Sequence, residues 1–178
     1  MDHNTKMALL TQCPNYQFLD MVRTDMDTFL KRNYAVEASV VSISFTGQQK
    51  YNVIQFRGKL PIKLQNQVRP IGFKFLLPAQ YPIVPPYVYL DEPPNPTVVE
   101  LLDYIEKNNR IKSDFITNWA SRQNDAQWRN KLNLSHLLFE VYELFTKAPP
   151  LSFEEIFGEQ PQVPPAQPQP PPLHQNNN

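Results

Sequence analysis

The sequence predicts an α+β domain with an N-terminal helix, a four-stranded antiparallel meander and a C-terminal helix. Three patterns predict it. Apolar residues recur at spacings of three and four between Asn15 and Asn33, they alternate with other residues in runs between Val41 and Leu90, and helical spacing returns from Leu134 to Phe145. A chain of 178 residues with 41% hydrophobic and 12% aromatic content carries enough apolar surface for one core of this size.

Along the chain, residues 1–14 read as an N-terminal extension. Phe18, Val22, Met26, Phe29 and Leu30 then form one helical stripe, with Pro14 just before it and Asp20, Arg23, Asp27 and Lys31 on the solvated side. Val41, Ile43 and Phe45 alternate, Thr46-Gly47-Gln48-Gln49 has turn chemistry, and Tyr51 to Phe56 resumes the strand pattern, so a hairpin is expected. A third strand is expected over Gly58 to Leu64. Ile71, Phe73, Phe75 and Leu77 alternate until Pro78, and Tyr87 to Leu90 makes a short last strand, with one face of the meander turned inward against a helix. After Pro96, the residues Val98, Val99, Leu102 and Ile105 suggest a short helix, and Lys107 to Gln127 reads as irregular chain anchored by Phe115, Ile116 and Trp119. Asn133 suits the N-cap of the final helix, which Pro149-Pro150 ends.

The folded part is expected to span residues 15–153, and residues 154–178 to be a disordered Pro/Gln-rich tail, because from Gln160 onward there is no Asp, Glu, Lys or Arg and almost no large apolar residue. Such a tail suits a tether to a further module. Seventeen basic residues balance seventeen acidic ones without a long basic block, which argues against nucleic acid as a partner. No apolar run approaches the roughly 20 residues of a membrane span, so no direct membrane insertion is expected, and the single Cys13 leaves no internal disulfide and fits a reducing, cytoplasmic setting. Three scattered histidines and four glycines supply neither metal-ligand spacing nor a phosphate loop, and adjacent Ser135 and His136 on a helix point apart. No catalytic, cofactor-binding or metal-binding residue is therefore expected.

The most specific run is Leu77-Pro78-Ala79-Gln80-Tyr81-Pro82-Ile83-Val84-Pro85-Pro86-Tyr87-Val88-Tyr89-Leu90. This L-P-x-x-Y-P-x-x-P-P-x-V-x-L pattern, set between helix and hairpin before it and Trp119, helix and Pro-Pro after it, resembles the ubiquitin-conjugating enzyme fold. An active member of that family needs a His-Pro-Asn turn and then a nucleophilic cysteine, since a thiolate must carry the acyl group. Here Asp91 to Phe115 contains Pro94-Asn95 without the histidine and no cysteine, while Cys13 precedes the first helix. The chain is therefore similar to the ubiquitin-conjugating enzyme variants, the UEV domains, and through its Pro/Gln tail to those of the tumour-susceptibility, or vacuolar-sorting, subunit of ESCRT-I.

That resemblance implies a non-catalytic adaptor of endosomal sorting, cytoplasmic and recruited to endosomes, that recognises ubiquitylated cargo and meets other ESCRT-I subunits through C-terminal regions missing here. Ubiquitin would be held by Phe45, Thr46, Gly47 and Gln48 at the hairpin tip and by Tyr89 on the sheet, the other reading of Phe45 and Tyr89 being packing in the core. A second family site takes Pro-(Thr/Ser)-Ala-Pro peptides. By position it involves Leu64, Arg69 and Pro70 in the loop before the third main strand and Pro149, Pro150, Leu151 and Ser152 after the last helix. Leu64 and Arg69 stand where the family has two tyrosines, so retention, a changed peptide preference and loss of the site are all open. Two other functions fit the resemblance: an inactive partner of a conjugating enzyme in chain synthesis, and a scaffold that binds no ubiquitin.

Overall fold

The computed structural model describes residues 3–33, 35–44, 50–64, 67–152 and 155–156. The hairpin tip with Phe45, Thr46, Gly47 and Gln48, and the tail from residue 157 onward, lie outside the described residues.

The N-terminal region begins with a helix the sequence patterns did not suggest, α1 (His3–Thr11). It has no clean apolar stripe and is held at few points. Leu10 and, just beyond the helix, Cys13 enter the core, and Lys6 pairs with Asp27 of the next helix, α2 (Leu19–Arg32). Asp27 also takes Lys31 at 2.5 Å, and the two ammonium groups hold its carboxyl down at about 2. α2 buries Val22, Met26, Phe29 and Leu30 as its spacing predicts, but it starts at Leu19 rather than Asn15. The reason is Tyr16, whose hydroxyl donates to the Leu77 carbonyl at 3.1 Å and accepts from the Ile54 amide at 2.9 Å. Gln17 donates to the Ala79 carbonyl, so residues before α2 are bonded to the far end of the sheet.

The sheet runs β1 (Glu37–Ile43), β2 (Tyr51–Leu64), β3 (Gln67–Leu76), β4 (Tyr87–Leu90), all antiparallel and in that order. The sequence split β2 at Gly58 and placed a loop at residues 64–70; the structure corrects both readings. β2 is one strand of 14 residues, and Leu64, Arg69 and Pro70 are strand residues. Pro61 and Pro70 face one another in the register. They are tolerated because β1 covers β2 only to Arg57 and β4 covers β3 only from Phe73, so each proline has an open edge where no ladder amide is needed.

One face of the sheet buries Ile54, Phe56, Ile62, Phe73, Phe75 and Val88 against α2 and the last helix, α7 (Leu134–Lys147). Phe29 meets Phe56 edge-on at 5.2 Å between ring centroids. α7 begins at Asn133, whose side chain accepts from the His136 amide at 2.9 Å, and buries Leu134, Leu137, Leu138, Val141 and Phe145. Between β4 and α7 lie α3 (Pro96–Leu101), shorter than its spacing suggested, and three single-turn helices: α4 (Asp114–Thr117) and α5 (Trp119–Arg122) inside the stretch expected to be irregular, and α6 (Ala126–Arg129) across its end. Phe115, Ile116 and Trp119 are buried there as anticipated.

The proline-rich turn between β3 and β4 is a joint. Tyr81, buried, donates its hydroxyl to Asp25 of α2, and the same carboxylate oxygen accepts from the Leu134 amide at 3.0 Å. From the other side Trp119 Nε1 donates to the Pro82 carbonyl at 2.7 Å, and Gln123 reaches the Pro82 and Ile83 carbonyls at 3.0 and 2.7 Å.

Candidate functional site

The only thiol is sealed. Cys13 has 0% of its surface exposed, and burial pushes its ionisation up to about 11, far from the thiolate that acyl transfer requires. The Pro94-Asn95 pair has a structural task instead: Asn95 caps α3, its side chain accepting from the Thr97 amide at 3.0 Å, and Pro96 opens the helix.

The sheet face turned away from the core presents the first candidate surface. Val88 and Leu90 point inward, so Tyr87 and Tyr89 between and beside them point out. Tyr89 is thus not a core residue. The register aligns Glu37, Arg57, Lys74 and Tyr89 in one row across all four strands. Lys74 Nζ stands 5.9 Å from the Tyr89 ring centroid, and the Arg110 guanidinium 5.0 Å from that of Tyr87. Partial burial raises the Tyr89 hydroxyl above its usual range. Lys74, Tyr87 and Arg110 were missed in the sequence; a polar Lys74 between buried Phe73 and Phe75 was the legible signal for Lys74 alone, since it marks an outward position of β3.

The second surface is a depression of about 270 Å³ between α3 and the segment after α7. Pro149, Leu151 and Ser152 form one wall; Asn95, Thr97, Val98, Leu101 and Leu102 form the other. Leu101 is 75% exposed there, an apolar side chain with no core role. Pro150 is buried beneath, and the Tyr104 hydroxyl donates to the Ala148 carbonyl, which fixes the segment. Ser152 opens a further helical turn: its amide donates to Glu155 Oε2 at 2.6 Å and the Glu155 amide donates back to Ser152 Oγ at 3.3 Å, a reciprocal capping box. Leu64, Arg69 and Pro70 do not line this depression. Leu64 packs on the core edge, Pro70 is exposed, and Arg69 is half-buried with no acceptor for its Nε among the described residues. The α3 wall was missed because a six-residue helix carries too short a pattern to assign a face.

A larger depression, about 600 Å³, lies between α2, the proline turn and the start of α7. Its central groups, Asp25, Tyr81 and Asn133, are engaged in the joint and the α7 cap. Among the described residues no cluster of three or more His, Cys, Asp or Glu side chains has the geometry of a metal site, and no helix is long and apolar enough to cross a membrane.

The family model of the UEV domain matches residues 8–153. The chain belongs to the UEV domain family. UEV domains are catalytically inactive variants of ubiquitin-conjugating enzymes, which accords with the sealed thiol. No curated protein matches the chain. Among solved structures, the yeast Vps23 UEV domain in complex with a Vps27 PSDP peptide is similar at TM-score 0.60 and 14% identity, over 78% of this chain and 90% of that one. A Vps23 UEV in complex with ubiquitin is similar at TM-score 0.62 and 17% identity, over 84% of this chain and 98% of that one. At these identities the likeness is one of fold. This UEV domain therefore has the four-stranded sheet and helices that the sequence resemblance implied.

Proposed function

We propose that this UEV domain is a non-catalytic adaptor that binds ubiquitin through its first hairpin and the outer sheet row at Tyr89, and a proline-containing peptide in the depression beside Pro149, Leu151 and Ser152. One observation carries the reading: a UEV fold whose only thiol is 0% exposed presents outward Tyr87 and Tyr89 on one surface and an apolar depression on another. The Vps23 structures, with ubiquitin in one and a PSDP peptide in the other, support both ligand classes. Recognition of ubiquitylated cargo in endosomal sorting, from the cytoplasmic side and with other ESCRT-I subunits, is the setting this combination fits best, because weak binding at two sites gains strength by assembly.

Leu64 and Arg69 lie in paired strands outside the depression, so the peptide would be held by the α3 wall and by Pro149, Leu151 and Ser152. Isothermal titration with synthetic peptides tests this: a Pro-Ser-Asp-Pro peptide should bind, and Leu101→Asp should abolish its binding. Equal binding by that variant would move the peptide elsewhere on the domain.

A further inference from the structure

The same chain carries, beyond the depression, a segment with the chemistry of a proline peptide. Prolines recur every third residue at Pro165, Pro168 and Pro171, after an earlier pair, Pro161 and Pro164, at the same spacing. A polyproline II helix has three residues per turn, so Pro165, Pro168 and Pro171 share one face of such a helix. The run Pro165-Ala166-Gln167-Pro168 sets its two prolines at the spacing of Pro-Ser-Asp-Pro, the peptide held by the yeast Vps23 UEV domain. No residue from Gln160 to Asn178 is Asp, Glu, Lys or Arg, so no charge would have to be desolvated on entering an apolar depression.

The tether is short. Ser152, which lines the depression, is also where the chain leaves it, and the Ser152–Glu155 capping box fixes that exit as a helical turn. Pro165 follows Ser152 by thirteen residues. Thirteen residues extend to about 40 Å in polyproline form and average roughly 20 Å as a flexible coil, so the return to a site beside Ser152 is within reach. A tether of this kind sets a local concentration on the order of 1 mM. A segment with an intrinsic Kd of about 0.1 mM would then fill the site most of the time and weaken an external peptide about tenfold.

We infer that the segment Pro165–Pro171 folds back into the depression between α3 and Pro149–Ser152 and competes there with external proline peptides. This rests on the reading of that depression as a proline-peptide site. The test compares residues 1–178 with the triple variant Pro165→Ser, Pro168→Ser, Pro171→Ser, whose changes lie outside the UEV match at residues 8–153. Methyl NMR should show Val98, Leu101 and Leu151 shifting between the two proteins, and a synthetic Pro-Ser-Asp-Pro peptide should bind the variant about tenfold more tightly. Identical methyl shifts together with equal peptide affinity would overturn the inference and leave the peptide site standing. Peptide binding to neither protein would remove the peptide site and the inference with it. Shift differences that vanish on dilution would assign the segment to a second copy and overturn occupation in cis.

Discussion

Asp25 shows how one side chain ties distant parts of this chain together. Its carboxylate sits among α2, the proline turn and the start of α7, accepting from the Tyr81 hydroxyl and the Leu134 amide. Replacing it by Ala leaves two largely buried donors unpaired, and Asp25→Ala should cost roughly 2–3 kcal/mol in urea unfolding with an unchanged m-value. Burial raises the Asp25 ionisation, outweighing both hydrogen bonds, so its contribution falls as pH rises from the ordinary carboxylate range through the raised folded value. Asp27 behaves oppositely. With its folded value at about 2 against an ordinary 3.8, it stabilises above the ordinary value, and that stability is lost as pH falls toward 2. Thermal melts of Asp27→Asn against the parent should therefore differ at pH 5 and converge as the acid limit nears. Cys13 should stay unreactive toward a thiol reagent in the native protein and react fully in denaturant, as its 0% exposure requires.

Helices and strands differ in how plainly the sequence announced them. α2 and α7 were legible because each carries a full apolar stripe over 14 residues. The strands were legible in kind and not in extent: a new strand was expected at Gly58 and a loop over residues 64–70, and only the pairing of β2 with β3 shows the continuous strand with Pro61 and Pro70 on open edges. α1 escaped because its hold on the domain is through Leu10, Lys6 and the adjoining Cys13 rather than a stripe. The candidate surfaces followed the same logic. The wall after α7 and Tyr89 were named through the family resemblance by position, whereas the α3 wall depends on a tertiary approach that no local pattern encodes. Because Leu101 is 75% exposed, Leu101→Asp should leave the melting temperature within a degree or two while removing peptide binding.

Taken as one body, the domain has a ubiquitin-conjugating-like fold with its thiol buried, and the proposed function places recognition on its outer surfaces. The sheet protects the core on one side and offers Glu37, Arg57, Lys74 and Tyr89 on the other, while the depression beside Ser152 stands where the chain continues toward its proline-rich segment. The most direct measurement is a backbone NMR titration of the labelled chain with monomeric ubiquitin, carried out with activating enzyme and ATP present. Binding without transfer predicts progressive shifts at Thr46, Gly47, Lys74 and Tyr89 and an unmodified Cys13. An unchanged spectrum at saturating ubiquitin, or a ubiquitin thioester on Cys13, would contradict it.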